Sequence, residues 1–372
     1  MDKKFVMGIA AMAALTLVSC SSDDLDSFSD NSSKNEAISF DGYLGRSAVA
    51  VNGTRGSVET KETLKTNGFG VFGKYDAGDG KTSDANFFVN QKVTYSNSKW
   101  TYTPLKYWPT QGQINFYAYA PHKEGQTLKE STNTFDFTVE PEAANQIDLL
   151  WANATGQIKT NFEGTTKEKV KFLFKHALSR LGYTVKLSGN YSSDNATFTL
   201  KKITLAGSPD GTKNAFYKKG TIDLSKKDAT GLWNAATSDD NKQYFTWFDA
   251  SYTVKSSESK HPTNSDGVDY SDKDYLFVIP QDFSLTTEGA DKLYVIVEYD
   301  VTYKSGTPST TITNTVYKKL PIKFEQGKAY MLNLTIGLPI EFDIDVETVS
   351  GVEDWNKQPD TNIDSWDDIN RK

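Results

Sequence analysis

The chain has 372 residues, 13% of them aromatic, and a formal net charge of −7 at pH 7. That length suits two domains of about 150 residues each. The acidic balance argues against nucleic acid as a partner, because such binding rests on Lys and Arg that neutralise phosphates. A single cysteine, Cys20, rules out an intrachain disulfide and a thiolate metal site.

The first residues have the order of a secretory signal. Lys3 and Lys4 precede an apolar run over residues 5–18, which is too short for a membrane-spanning helix. The tetrad that ends at Cys20, LVSC, resembles a bacterial lipobox, and the resemblance implies removal of residues 1–19 and lipidation of Cys20. The alternative is an ordinary signal peptide with a chance cysteine. Residues 20–36 are polar and acidic and predict a flexible tether.

The first predicted strand covers residues 37–44, with Ile38, Phe40 and Leu44 on one face. A polar stretch over residues 45–67 follows and carries two of the four arginines, Arg46 and Arg55. Strands at the spacing of an all-β sandwich are then predicted near 68–75, 86–94, 99–103, 113–120, 134–139 and 147–152.

The aromatic stretch over residues 100–121 predicts the centre of a core, because aromatic side chains bury the most area. Both faces of residues 113–120 are largely apolar, which favours an inner strand. A sugar-stacking platform is the alternative for the stretch. The predicted core residues are Trp100, Tyr107, Trp108, Phe116 and Tyr119.

Residues 155–169 are polar and predict a link between an N-terminal sandwich domain, 37–160, and a C-terminal one, 161–349. Residues 176–182 fit either a short helix or two strands with a bend, and period two on both sides favours the strands. His176 is interpreted as a core histidine, since His122 and His261 show no ligand spacing with it. Further strands are predicted near 198–206, 219–224, 243–249, 275–280, 292–303, 311–320 and 328–336.

Residues 340–349 alternate strictly. Ile340, Phe342, Ile344 and Val346 form an apolar face, and four carboxylates form the other. A slip of one residue would bury those carboxylates, so the register of this strand is well defined. Residues 350–372 predict a polar tail.

Several motifs in this order resemble the fimbrillin family, the lipoproteins that build type V pili in Bacteroidales. They are the Cys20 lipobox, Thr54-Arg55, Tyr107-Trp108-Pro109 followed by INFYAY from Ile114, FKHALS from Phe174, and GKAY from Gly327. The resemblance spans nearly the whole chain and implies two transthyretin-like β-sandwich domains in tandem.

The resemblance also implies a mechanism. A protease cuts after an arginine behind the first strand, here Arg55 or Arg46, and residues 37–44 leave. The apolar residues Ile340, Phe342, Ile344 and Val346 of another copy or a related subunit then fill the open groove. The implied product is a surface fimbria on the outer membrane that serves adhesion, and the resemblance implies a host or bacterial surface ligand as a further partner. An edge strand of its own domain is the alternative for residues 340–349.

Two other functions compete with that of a pilus subunit. A surface lipoprotein could bind glycans through exposed aromatic residues such as Trp233, Trp247 and Trp355. A glycosidase needs a pair of carboxylates, and no motif selects a pair among the 48 acidic residues. The sequence therefore predicts neither an enzyme nor a cofactor nor a metal site.

Overall fold

β-Strands dominate the part of the chain that the computed structural model describes. The described residues are 37–44, 58–78, 86–129, 131–162, 169–191, 195–255, 260–262, 275–304, 307–338 and 341–348. The predicted signal, tether and tail therefore lie outside the described residues. The all-β prediction is confirmed.

The strands of the first part are β1 (Phe40–Leu44), β2 (Phe69–Asp76), β3 (Asn86–Ser96), β4 (Lys99–Thr101), β5 (Gln113–Ala120), β6 (Thr134–Thr138), β7 (Leu150–Gln157), β8 (Val170–His176) and β9 (Ser179–Leu187). The strands that follow are β10 (Ala196–Ala206), β11 (Phe216–Tyr217), β12 (Lys219–Asp223), β13 (Trp233–Ala235), β14 (Lys242–Gln243), β15 (Phe245–Val254), β16 (Leu276–Val278), β17 (Gln281–Asp282), β18 (Tyr294–Tyr303), β19 (Thr310–Lys319), β20 (Lys323–Phe324), β21 (Ala329–Gly337) and β22 (Glu341–Thr348). The ambiguous segment after Phe174 is thus two strands, as favoured from the sequence.

One α-helix, α1 (Lys61–Asn67), stands among the described residues, where the sequence predicted a loop. Thr60 begins it with a capping box, because the backbone N–H groups of Thr60 and Thr63 each donate to the other residue's hydroxyl. Gly68, with a φ of 70°, ends it and donates its N–H to the Leu64 carbonyl. Three short 3-10 helices cover Ala143–Asn145, Lys159–Phe162 and Asp239–Asn241.

The strands form one large sheet and several smaller ones. The seven-stranded sheet has the order β1-β8-β7-β5-β2-β3-β4. Two four-stranded sheets have the orders β15-β10-β18-β19 and β16-β9-β21-β22, and a three-stranded sheet has the order β13-β12-β6. Two small pairs, β11-β14 and β17-β20, complete the described strands. β1 is parallel to β8, and β9 is parallel to β21.

The sheets do not divide at the predicted boundary between residues 160 and 161. β8 lies after that boundary but pairs with β1 and β7 of the first sheet. β6 lies before it but pairs with β12. All described residues fall within one compact unit that starts at Ala37. Which sheet a strand joins is decided by its pairing with strands that are distant in sequence. A polar stretch such as residues 155–169 does not show which strands pair.

β5 is an inner strand with a core on each face. Ile114 and Phe116 belong to one buried cluster, together with residues of β1, β2 and β8. Tyr117 and Tyr119 point the other way and belong to a second, larger cluster that spans the later sheets. The alternation of side chains across a strand therefore lets β5 hold two cores together.

The predicted aromatic core needs one correction. Trp108, Phe116 and Tyr119 are buried, and Trp100 is partly buried on β4. Tyr107 is 49% exposed, so its assignment to the core is wrong. Neighbouring side chains of an extended segment point to opposite sides, and Trp108 takes the inward one.

The adjacent residues Trp108 and Tyr107 give a matched pair of substitutions. Trp108→Ala leaves a cavity beside Phe116, whose ring lies 6.1 Å away, and we expect it to lower the free energy of unfolding by about 3–5 kcal/mol. Tyr107→Ala is expected to change it by less than about 0.5 kcal/mol. Urea unfolding of both variants measures the difference. Equal losses of free energy of unfolding in the two variants would mean that the core does not lie at Trp108.

Candidate functional site

The candidate functional site is the groove that β1 fills. β1 pairs in parallel with β8, from Phe40 opposite Val170 to Leu44 opposite Phe174. Just before β1, the Ile38 N–H donates to the Lys106 carbonyl at 2.8 Å, and the Tyr102 hydroxyl donates to the Ile38 carbonyl at 2.8 Å. This segment is therefore bonded on both of its sides.

The inward face of the segment is deeply buried. Ile38, Phe40 and Leu44 are each at most 1% exposed, as their shared face predicted. The Phe40 ring lies 5.4 to 5.6 Å, between centroids, from four other aromatic rings: Phe88, Tyr102, Phe116 and Phe172. We call these four rings the aromatic cage. Burial of the three side chains contributes roughly 5–9 kcal/mol to keeping the strand in place, before ordering costs.

Gly42 shares the inward face and lies where the groove is narrow. A Cβ atom at Gly42 would stand 2.9 Å from the Phe69 ring and 3.4 Å from the rings of Phe174 and Trp100. Each of these close atoms belongs to a side chain and none to the backbone. The groove is thus bounded by aromatic rings at this position.

The outward face of β1 lies among lysines. Burial raises the pKa of Asp41, and the positive charges of Lys169, Lys171 and Lys61 oppose that rise. Lys171 is the partner of Asp41 in the parallel ladder. β8 therefore offers positive charge to whatever strand lies beside it.

A buried polar cluster fixes the chain where the described residues resume after β1. The Glu59 N–H donates to Asp148 Oδ2 at 2.8 Å, and Asp148 Oδ1 lies 3.0 Å from His176 Nδ1. The Glu59 carboxylate accepts from the Thr63 hydroxyl at 2.9 Å and from the Asn67 amide at 2.6 Å. The cluster ties α1 to β8 independently of β1. The sequence analysis missed Glu59 and Asp148, although an aspartate inside the apolar run IDLLWA was a usable signal.

The candidate donor strand, β22, occupies a sheet edge in the single chain. It pairs with β21 through eight residue pairs, from Glu341 to Thr348. Ile344 is 9% exposed and Val346 packs against the larger core, while Asp343 and Asp345 face solvent. Asp343 forms an ion pair with Lys318 of β19. This is the edge position that the sequence left open as the alternative.

Other predicted site residues lie outside what can be described. Cys20, Arg46, Arg55 and Ile340 fall in ranges that are not described, and Phe342 is described by its backbone alone. Arg46 and Arg55 both belong to residues 45–57, which connect β1 to the segment that carries Glu59.

Two of the three tryptophans proposed for glycan stacking are engaged in packing. The Trp233 indole N–H donates to the Ala177 carbonyl at 2.6 Å. Trp247 is buried and its ring lies 4.7 Å from that of Tyr183. Trp355 lies outside the described residues. Within the described ranges, no cluster of three or more His, Cys, Asp or Glu could hold a metal ion, and His176 instead bonds to Asp148. No helix there has the length and apolarity to cross a membrane.

Fold and site together define an all-β protein whose first strand fills a groove between distant parts of the chain. The sequence matches the model of the fimbrillin-like family over residues 54–355, so the chain belongs to that family.

Two known proteins are similar to this chain along most of its length. It is 27% identical to fimbrium subunit Fim1C of Phocaeicola vulgatus, over 95% of this chain and 97% of that protein. A crystal structure of a fimbrial protein from Bacteroides vulgatus matches with a TM-score of 0.55 at 21% identity, over 84% of this chain and 99% of that one. The structural likeness supports the fold.

Glu59 generates a prediction about pH. Burial and the nearby Asp148 carboxylate raise its pKa from 4.5 to about 7. The folded state thus binds this proton more tightly than the unfolded state, so the free energy of unfolding falls as the pH rises from about 4.5 to about 7. This fall in the free energy of unfolding should be roughly 3 kcal/mol in the wild type and absent in Glu59→Gln.

Urea unfolding at pH 5 and pH 8 measures that loss in the wild type and the variant. Glu62→Gln, on the exposed side of α1 where Glu62 pairs with Lys65, is the control and should keep the wild-type dependence. An unchanged pH dependence in Glu59→Gln would contradict the assignment.

Proposed function

We propose that this chain is a structural subunit of a cell-surface fimbria, assembled by protease-triggered donor-strand exchange and serving adhesion. The observation that carries the proposal is the position of β1, an apolar strand at a sheet edge that precedes the two arginines of residues 45–57. Membership of the fimbrillin-like family supports the fimbrial role. The role is structural, and no catalytic step is part of it.

Anchoring comes first in the proposal. Cys20 is lipidated after removal of residues 1–19, and the acyl chains hold the precursor at the surface of the outer membrane. Residues 20–36 then act as the tether. In this precursor β1 fills its groove, so the subunit stays monomeric.

Release of β1 is the second step. A cut after Arg55, or after Arg46, breaks the covalent link between β1 and the rest of the sandwich. The strand is then held by non-covalent contacts alone, among them those with β8, the aromatic cage and residues 102–107. The Glu59 cluster lies after both arginines, so it keeps α1 in place when β1 leaves.

The open groove then accepts a strand from the next subunit. Loss of β1 exposes the backbone edge of β8 and the aromatic cage, and such an edge templates pairing with another chain. The donor is β22 with Ile340 before it. Burial of the four apolar side chains Ile340, Phe342, Ile344 and Val346 contributes roughly 6–12 kcal/mol relative to an exposed strand. Part of this offsets the contacts that Ile344 and Val346 give up in the larger core of their own chain. Because donor and groove are different surfaces, the contact does not close and a filament grows.

The cleavage step predicts that arginine, and not positive charge, is required. We treat the full chain carrying Cys20→Ser with an arginine-specific protease. The cut and SDS-resistant ladders are expected with wild-type arginines, and neither with Arg46→Lys/Arg55→Lys. Lysine keeps the positive charge but is not a cleavage site for an arginine-specific protease. Ladders of wild-type extent from the double variant would refute processing at these residues.

The donor step predicts a chain terminator. A variant that lacks residues 340–372 keeps the groove and loses the donor, so it should form no ladder alone and should shorten the ladders of the wild type when mixed in. Removal of residues 350–372 alone is the control and should leave assembly intact.

Full ladders from the variant that lacks residues 340–372 would place the donor elsewhere in the chain. Retained binding of a trimmed, monomeric protein on a glycan array would favour the glycan-binding alternative.

A further inference from the structure

The segment that contains β1 and the segment that contains β22 carry the same order of side chains. Residues 38–44 read ISFDGYL, and residues 340–346 read IEFDIDV. Isoleucine, phenylalanine and aspartate recur at the same three places, and the last position is leucine in one and valine in the other. On the inward face the two segments differ mainly where Ile344 stands in the place of Gly42.

We propose that β22 of a second copy of this chain enters the groove parallel to β8 and in one register, with Phe342 at the place of Phe40. Asp343 then takes the place of Asp41, opposite Lys171 of β8. This inference rests on the proposed function and adds the direction and register of the joint.

The aromatic cage selects the register. It encloses one aromatic side chain, Phe40, at 5.4 to 5.6 Å from each of its rings. Phe342 is the one aromatic residue among residues 340–349. A shift of two residues would place an isoleucine in the cage and move Phe342 to the place of Ile38 or Gly42. A Cβ atom at the place of Gly42 would already stand 2.9 Å from the Phe69 ring, so this place has less room for a phenylalanine than for the smaller isoleucine of the proposed register.

The charges of β8 favour the same register. Asp41 lies opposite Lys171, and Tyr43 lies opposite Leu173. In the proposed register Asp343 faces Lys171, while Glu341 and Asp345 replace the uncharged Ser39 and Tyr43 on either side of it. The donor therefore brings three carboxylates to the edge of β8, where β1 brings one. Lys171 and Lys175 lie in β8, and Lys169 directly precedes it.

Pro339 argues against the opposite direction. With Phe342 kept in the cage, an antiparallel strand would put Pro339 at the place of Tyr43, inside the ladder with β8. Proline has no backbone N–H to donate and is disfavoured inside a sheet. In the parallel direction Pro339 falls before the place of Ile38, outside the β1–β8 ladder.

The one mismatch between the inward faces of the two segments is Ile344 at the place of Gly42. We expect an aromatic ring at the sheet edge to make room for it. Trp100 lies on the short edge strand β4, is only partly buried, and packs on Phe69 at 4.8 Å between centroids. The closest ring, Phe69, stands 2.9 Å from a Cβ atom at this place, and outward movement of Trp100 would let the Phe69 ring shift away from the isoleucine. The Ile344 side chain of the donor then occupies volume that the Trp100 indole fills when β1 is in the groove.

Cysteine cross-links read the register directly. Two preparations of the full chain, both with Cys20→Ser, are mixed and treated with an arginine-specific protease and then with an oxidant. One carries Lys171→Cys in the groove, and the other carries Glu341→Cys, Asp343→Cys or Asp345→Cys in the donor. We expect a reducible dimer from Asp343→Cys at a yield at least tenfold above the other two.

Each other result overturns the proposal in a distinguishable way. A dominant cross-link from Glu341→Cys means an antiparallel strand or a shifted register, and one from Asp345→Cys means the opposite shift. Ladders without a cross-link from any of the three mean that the donor enters elsewhere. Absence of ladders in the cysteine-free Cys20→Ser chain defeats donor-strand assembly itself.

A pair of donor variants tests the same register without cysteines. Ile344→Gly reproduces the residue that β1 has at this place and removes only the contacts of the isoleucine side chain, so the ladder yield should fall less than in Phe342→Ala. Phe342→Ala empties the aromatic cage and should reduce the yield at least tenfold. The reverse order of effects would contradict the register.

Discussion

The packing of Phe40 against four aromatic rings is the contact on which the first sheet depends. These rings come from β3, β5, β8 and the segment after β4, so a single side chain joins elements far apart in sequence. Aromatic pairs contribute beyond their buried area, and five rings in contact make the place of Phe40 selective for another ring. The groove is therefore a specific site and not a general apolar surface.

β5 extends the influence of this groove to the rest of the chain. Phe116, on one face of β5, touches Phe40, while Tyr119, on the other face, contacts Phe135 of β6 in the larger core. β6 in turn pairs with β12, beyond the predicted domain boundary. What fills the groove is thus separated from the second core by the thickness of one strand.

Sequence periodicity predicted most strands because their residues alternate in burial. The strands over residues 113–120 and 329–337 lie within a residue or two of their predicted places, since inward apolar residues there are regular. α1 was not predicted, because a seven-residue helix with one buried side chain, Leu64, is too short to show a helical repeat of apolar residues. Tyr107 was misplaced because two adjacent aromatic residues in an extended segment cannot both face inward.

Sheet membership and the Glu59 cluster lay beyond sequence reasoning for a different reason. The pairing of β8 with β1 joins residues about 130 positions apart, and that of Glu59 with Asp148 joins residues 89 apart. Period two fixes which face of a strand is buried but leaves its partner undetermined. The same limit applies to the candidate site, where the apolar face of residues 38–44 was predicted and the aromatic cage around it was not.

The parallel course of β1 and β8 has a mechanical consequence. A pull on a strand along its own axis loads all its hydrogen bonds with the neighbouring strand in shear, and they resist together. A hairpin pulled open from its end loses its bonds one after another. A joint in which the inserted strand keeps the direction of β1 would meet tension along that strand in shear, and the five ladder pairs from Phe40 to Leu44 would share the load.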